Sequence, residues 1–150
     1  MVQKTSLIWM DGKLIPWESA TVHVLTHTLH YGMGAFEGIR CYKGTDGSSS
    51  VFRLRDHVDR LFESALIGGF EIPYSRVEIE QAILATLREN RLDEGYIRPI
   101  VFRGYGEMGL NPLASTVDVA IAAWPWGTYL GEEGIAHGVR AKTASIQSLD

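Results

Sequence analysis

Segments rich in β-branched and aromatic residues stand at both ends of this chain, and two amphipathic helical patterns lie between them. Residues 7–10 and 13–17 surround Asp11-Gly12, a dipeptide typical of the tight turn of a β-hairpin. Residues 96–103 and 117–124 are predicted to form two further strands. Hairpins around two helices predict an α+β fold, in which helices pack on one face of an antiparallel sheet.

The two helical patterns have recognisable start and stop signals. Asp56 is predicted to cap the first helix, which Gly68-Gly69 ends. Ser75 and Glu78 form a capping-box pattern at the start of the second helix, and Asn90 is predicted to end it. Apolar residues at helical spacing predict the buried stripes, which are Val58, Leu61, Phe62, Ala65 and Leu66, then Ile79, Ala82, Ile83 and Leu87.

The remaining segments suggest how the chain is divided. Strands over 36–42 and 50–53 are predicted on either side of a turn-rich loop. Residues 1–124 are then a small N-terminal α+β domain, and 125–134, where the composition shifts, are an interdomain linker. Residues 135–150 are predicted to hold the first strand of a C-terminal domain that the chain does not include.

Composition and charge exclude several classes of function. The net charge of −4 comes without a localised basic stripe, so no nucleic-acid partner is predicted. The longest apolar stretch, 117–126, is interrupted by Asp118 and Pro125 and is too short to cross a bilayer. No signal peptide is predicted, and one cysteine, Cys41, suits a reducing cytoplasm.

Residues 27–42 combine aromatic residues with three glycines in seven positions. Glycine lowers both strand and helix propensity, a cost that is tolerated where backbone turns sharply or approaches a ligand. We therefore predict a binding site here, lined by Tyr31 and Phe36. His27 and His30 have no accompanying ligand at a spacing typical of zinc, so no metal site is predicted.

Residues 27–42 resemble the N-terminal signature of branched-chain amino acid aminotransferases, which are pyridoxal-phosphate enzymes of fold type IV. The blocks 96–104, 108–112 and 122–131 match the same family in order and approximate spacing. The resemblance implies the small domain of that fold and a pyridoxal-phosphate cofactor. It also implies transfer of the amino group between leucine, isoleucine or valine and 2-oxoglutarate, with glutamate and 2-oxo acids as the other reactants.

Two arginines have different interpretations with and without the resemblance. Helical spacing alone favours Arg60 as an exposed residue paired with Asp56. The resemblance instead implies that Arg60 anchors the cofactor phosphate, whose oxygens a guanidinium fork matches well. Arg98 follows an apolar residue in a predicted strand, and either faces solvent at a sheet edge or meets an anion in a cavity. The resemblance implies that Arg98, with Tyr31 and Tyr129, receives the side-chain carboxylate of glutamate.

The resemblance implies further substrate contacts. Tyr96 lies toward the substrate α-carboxylate, and Trp126 flanks the pocket from the linker. Phe36 and Leu110 join the tyrosines in a mostly apolar pocket, and Tyr31 and Leu110 come from the partner subunit of a homodimer. Core packing is the alternative for each aromatic residue taken singly. Arg40 matches the signature without an assigned role.

No catalytic residue is predicted within this sequence. In the family the Schiff-base lysine lies beyond the position of Asp150, so this chain is expected to be inactive alone. Its four lysines, at 4, 13, 43 and 142, are predicted to be surface groups. Two alternatives stay open: a non-catalytic truncated domain that folds, dimerises or binds a partner chain, and a relative of D-amino acid transaminase or aminodeoxychorismate lyase.

Overall fold

An antiparallel sheet is the framework of the computed structural model, which describes residues 2–126 and 131–143. Its strands are β1 (Leu7–Met10), β2 (Lys13–Pro16), β3 (Gly34–Phe36), β4 (Ile39–Lys43), β5 (Ser49–Val51), β6 (Gly95–Arg103) and β7 (Val117–Trp124). The strand order is β2-β1-β7-β6-β4-β5, and β3 also pairs with β6. The long strands β6 and β7 therefore form the centre of the sheet.

Two long helices cover one face of this sheet. The α-helices are α1 (His27–Tyr31), α2 (Leu54–Ile67), α3 (Arg76–Glu89) and α4 (Gly131–His137), with short 3-10 turns at Trp17–Ser19 and Pro112–Ala114. The core joins Leu61 of α2 and Ile83 of α3 to Ile97 and Ile121 of the central strands, and all four are completely buried. The predicted α+β class, with helices on one face of an antiparallel sheet, is confirmed.

Strand β6 has two different faces. Ile97, Pro99 and Val101 are buried, while Tyr96 and Arg98 between them are half-buried. Ile97 and Val101 lie in the core beneath α2 and α3. Since successive side chains of a strand point to opposite faces, the half-buried set lies on the opposite face.

Helix α3 begins and ends where the sequence predicts. The Ser75 hydroxyl accepts the Glu78 backbone N–H at 3.3 Å, and the Glu78 carboxylate accepts the Ser75 N–H at 2.7 Å. This is the predicted capping box, and Asn90 is the C-cap residue. The predicted stripe of α3 is buried in full.

Two predictions about α2 are wrong. Asp56 is not the N-cap residue: the helix begins after Arg53, which has a φ of +47°, and Asp56 lies in its first turn and pairs with Arg53 at 2.7 Å. Leu66 is 78% exposed. The chain turns back after the helix, the Phe70 N–H donates to the Ala65 carbonyl, and the Phe70 side chain joins the core at this end.

The predicted strand over 36–42 is divided into β3 and β4. The pairs Phe36 with Ile100 and Ile39 with Ile97 keep one register across the division. Pro99 lies opposite Glu37 in that register and has no N–H to donate, so the ladder is interrupted there although the Glu37 N–H still donates to the Pro99 carbonyl at 3.0 Å.

Other boundaries also differ from the predictions. Strand β5 replaces the strand expected over 50–53, and helix α1 lies where no helix was predicted. Residues 131–137 form α4 and 138–143 contain no strand, while 127–130 and 144–150 lie outside the described residues. The division into domain, linker and second domain therefore stays a prediction. No helix of the described residues is long and apolar enough to span a membrane.

We expect Ile83→Ala to lower the free energy of unfolding by about 2–5 kcal/mol, because it leaves a cavity between α3 and the sheet. Val77→Ala, at an exposed position of the same helix, is the control and should change it by less than about 0.5 kcal/mol. Urea denaturation monitored by circular dichroism measures both. Equal losses in the two variants would contradict this placement of α3.

Candidate functional site

A buried carboxylate connects the sheet to helix α2. Glu37 lies between β3 and β4 and is only 5% exposed. Arg60 donates to it from Nε and Nη2, each at 2.6 Å, and His57 Nδ1 lies 2.8 Å from its Oε2. The hypothesis that Arg60 pairs with Asp56 is therefore wrong: its partner is Glu37, 23 residues away along the chain.

The electrostatics of this group favour an ionised Glu37. Burial by itself raises the pKa of the Glu37 carboxyl, but hydrogen bonds from Arg60 and His57 outweigh it, and the net pKa lies below the ordinary value. The hydrogen bond to Glu37 likewise raises the pKa of Arg60. An ionised carboxylate only accepts, so His57 donates from Nδ1 to Glu37. Nδ1 of His57 therefore carries a hydrogen.

A second group of site residues lies on the sheet face opposite α2 and α3. The Arg98 guanidinium carbon is 4.3 Å from the centre of the Phe36 ring, and Arg98 Nη2 donates to the Tyr96 hydroxyl at 2.8 Å. The Tyr96 ring is 5.1 Å from Trp124 and 4.5 Å from Trp126. Four of the predicted site residues, Phe36, Tyr96, Arg98 and Trp126, are thus brought together.

Strand register accounts for this cluster. Tyr96 pairs with Trp124 on one side and with Arg40 on the other, and directly paired residues of antiparallel strands share a face. Arg40 also donates from Nη1 to the Trp126 carbonyl at 3.0 Å. Arg40 therefore joins the sheet to the segment that follows β7.

Arg98 lies on the central strand β6, and aromatic rings hold its side chain. Because β6 is flanked by β7 and by β3 and β4, the alternative of an edge-strand arginine is wrong. Its Nε is buried and has no hydrogen-bond partner among the described residues. A half-buried cation of this kind, among apolar rings, can bind a carboxylate that enters from the open side of the sheet.

Gly38 makes room for the Tyr96 side chain. A Cβ atom built on Gly38 would overlap the Tyr96 hydroxyl and lie 3.1 Å from its Cζ. A side chain at position 38 is therefore incompatible with the observed position of Tyr96, which in turn accepts the hydrogen bond from Arg98.

Tyr31 and Leu110 form a separate group. The buried His27 donates from Nε2 to the Gly109 carbonyl at 3.0 Å, and its ring lies 4.5 Å from the Tyr31 ring. Tyr31 is 42% exposed and Leu110 is 89% exposed. In the described part of the chain, no hydrogen bond, ion pair or ring contact links either residue to Arg98. Tyr129 lies outside the described residues.

Sequence reasoning missed Glu37, His57, Gly38 and Trp124. Glu37 had a usable signal, because a charged residue within an apolar strand pattern must be paired, as must Arg98. Gly38 and Trp124 gave no such signal, since their importance depends on the register that sets them against Tyr96.

We expect Glu37→Gln to lower the free energy of unfolding at neutral pH by about 1–2 kcal/mol, a value reduced by solvent screening of the exposed Arg60. The folded pKa of Glu37 is depressed, so this difference is fully present above the ordinary value of 4.5 and is lost as pH falls through the lower folded value. Urea denaturation over a pH series measures it. A loss that is the same at every pH would contradict an ionised Glu37.

We expect Gly38→Ala to displace Tyr96 and to cost about 1–3 kcal/mol of unfolding free energy, with a change in tryptophan emission because the Tyr96 ring contacts both Trp124 and Trp126. The double variant Gly38→Ala with Tyr96→Phe is the control, since it removes the overlapping hydroxyl. Most of the loss should then be recovered. An equal cost of Gly38→Ala in both backgrounds would show that the Tyr96 hydroxyl is not the obstacle.

Comparisons with known proteins show the family to which the chain belongs. The family model described as Amino-transferase class IV matches residues 34–148. The chain is 52% identical over 146 residues to the branched-chain-amino-acid aminotransferase of Pseudomonas aeruginosa, covering 97% of this chain and 47% of that protein. The chain thus spans about half the length of the curated relatives it matches.

Solved structures give the same result. The Escherichia coli branched-chain amino acid aminotransferase has a TM-score of 0.83 and 46% identity, covering 87% of this chain and 43% of that one. The T.th. enzyme of the same name, complexed with N-(5'-phosphopyridoxyl)-L-glutamate, has a TM-score of 0.78 and 43% identity, covering 82% and 41%. The described fold is that of the small domain of the fold type IV aminotransferases. The chain belongs to the class IV aminotransferase family.

Proposed function

We propose that this chain is the N-terminal part of a pyridoxal-phosphate-dependent branched-chain aminotransferase. The reaction would move the amino group between leucine, isoleucine or valine and 2-oxoglutarate. The observation that carries the proposal is Arg98, a half-buried cation held between the Phe36 ring and the Tyr96 hydroxyl. Such a site accepts an aliphatic side chain against its rings and a carboxylate against its guanidinium.

The residues present fit the phosphate of the cofactor. Glu37 engages Nε and Nη2 on one edge of the Arg60 guanidinium, and no acceptor among the described residues contacts Nη1. The end of the guanidinium can therefore donate to a phosphate oxygen, and 63% of the side chain is exposed. When bound, pyridoxal phosphate would supply the electron sink for transamination.

The substrate would be recognised mainly by Arg98 and Tyr96. We assign Arg98 to the side-chain carboxylate of glutamate or 2-oxoglutarate, and Tyr96 to the α-carboxylate side. The ligand of the T.th. enzyme, which combines a phosphopyridoxyl group with glutamate, supports a site where phosphate and carboxylate are bound together. Trp126 would flank this pocket, and Tyr129 would add a hydroxyl donor.

A homodimer is part of the proposal. Tyr31 and Leu110 lie apart from Arg98 and are exposed. The His27 contact with Gly109 joins the segments that carry them, so both can approach the site of a second subunit as one unit. A cytoplasmic location is also proposed, and the buried free thiol of Cys41 suits it.

The catalytic lysine is proposed to follow position 150. Lys4 and Lys43 are in exposed ion pairs with Glu18 and Asp93, which supports the prediction that they are surface groups. The complete reaction would then need the small domain for substrate recognition and another part of the protein for the covalent bond to the cofactor.

We expect Arg98→Met, in the protein expressed from its complete gene, to raise KM for glutamate about tenfold or more and KM for leucine less than about threefold, because only glutamate presents a side-chain carboxylate. Arg88→Met, an exposed arginine of α3, is the control and should change neither. Steady-state transamination assays measure both constants.

Two results would contradict the proposal. Equal effects on both substrates would show that Arg98 does not read the side-chain carboxylate. The absence of pyridoxal-phosphate-dependent transamination of leucine, isoleucine and valine by the unmodified protein would contradict the proposed function as a whole.

A further inference from the structure

We propose that Glu37 is a positioning residue for phosphate binding, which holds the Arg60 guanidinium so that its terminal N–H groups stay available to the anion. His57 holds the Glu37 carboxylate in turn. This inference rests on the proposed function, because it assigns Arg60 to the cofactor phosphate. Its new content is the pair of residues behind Arg60, which touch neither cofactor nor substrate.

The pairing geometry separates two edges of the guanidinium. Nε donates to Glu37 Oε1 and Nη2 donates to Oε2, each at 2.6 Å, which is the side-on bidentate arrangement. Both hydrogens of Nη1 and the second hydrogen of Nη2 then point away from Glu37. The second hydrogen of Nη2 and the Nη1 hydrogen beside it form the end-on fork that matches two oxygens of a phosphate. Glu37 therefore occupies the edge that a phosphate does not need.

Burial makes Glu37 a rigid support for a flexible residue. Glu37 is 5% exposed and its N–H donates to the Pro99 carbonyl of the central strand β6. Arg60 is 63% exposed on the surface of α2. A long exposed side chain loses rotamer entropy when it binds a ligand, and this loss is smaller when the side chain is already held in place.

His57 completes the support. Its Nδ1–H donates to Glu37 Oε2, the oxygen that also accepts Arg60 Nη2. Arg60 Nη2 lies 3.3 Å from His57 Nδ1, but both atoms carry hydrogens when Glu37 is ionised, so this contact is not a hydrogen bond. The carboxylate is therefore fixed from two sides by residues three positions apart on α2.

An ion pair that only fastens α2 to the sheet predicts a different outcome. The Glu37 charge repels an incoming phosphate, so for a merely structural pair its removal would leave phosphate binding unchanged or make it tighter. For a positioning role its removal weakens phosphate binding. The two interpretations differ in the sign of one measurable affinity.

The test compares pyridoxal phosphate with pyridoxal, which lacks the phosphate, as ligands of the apo-protein expressed from its complete gene. Affinities are measured by absorbance titration. We expect Glu37→Gln and Arg60→Gln each to weaken binding of pyridoxal phosphate about tenfold or more, and binding of pyridoxal less than about twofold. Asp59→Asn is the matched control. Asp59 lies on the same helix as Arg60, and the substitution removes a carboxylate that pairs with Arg76 of α3, so it should change neither affinity.

The variants separate the role of Arg60 from the role of Glu37. If Arg60→Gln leaves the affinity for pyridoxal phosphate unchanged, the assignment of Arg60 in the proposed function is wrong, and this inference is wrong with it. If Arg60→Gln weakens binding while Glu37→Gln leaves it unchanged or tightens it, only the positioning role of Glu37 is overturned.

His57 provides a second route that leaves Glu37 in place, which matters if Glu37→Gln does not fold. Asn can present an N–H near the position of His57 Nδ1, whereas Leu cannot. We expect His57→Leu to weaken phosphate-selective binding and to accelerate solvent exchange of the Arg60 Nε–H in NMR spectra, and His57→Asn to restore both toward the unmodified protein. Equal behaviour of His57→Leu and the unmodified protein would overturn the inference.

Discussion

The whole arrangement depends on strand β6, whose two faces have different chemistry. Ile97 and Val101 on one face complete the core beneath α2 and α3. Arg98 and Tyr96 on the other face meet Phe36 and the tryptophans. Because the side chains of a strand alternate strictly, a core position and a site position are neighbours in the chain. The packing that stabilises the fold thereby also sets the positions of the site residues along the strand.

The same alternation acts at the division between β3 and β4. Phe36 lies against Arg98 on the open face, and the next residue, Glu37, points to α2 and binds Arg60. Two consecutive residues thus each hold one guanidinium, Phe36 through its ring and Glu37 through its carboxylate. Among the described residues, both arginines are kept in place by groups on the sheet or directly beside it. This is the arrangement expected where charged groups must keep a fixed position before a ligand arrives.

Local signals explain which elements were predictable from the sequence. Helix α3 has a capping box whose members are three residues apart, and the bounds of β7 follow from a dense β-branched and aromatic segment. Helix α1 has only five residues, and tertiary contacts of His27 with Gly104 and Gly109 hold it, so its own sequence gave no helical signal. The partner of Arg60 was missed for the same reason. Helical spacing offered Asp56 nearby, but the folded protein brings a carboxylate from 23 positions away.

The uninterrupted register across the β3–β4 division has a consequence for how this sheet assembles. Phe36 pairs with Ile100 and Ile39 pairs with Ile97, so β3 and β4 occupy consecutive positions along β6. Once either strand has paired during folding, the other is already aligned, and its pairing closes almost no additional loop. Joining residues more than fifty positions apart costs chain entropy, and this cost is then met a single time although two strands pair with β6. Pro99 interrupts the hydrogen-bond ladder between β3 and β4, but it does not make their pairing with β6 two separate loop closures.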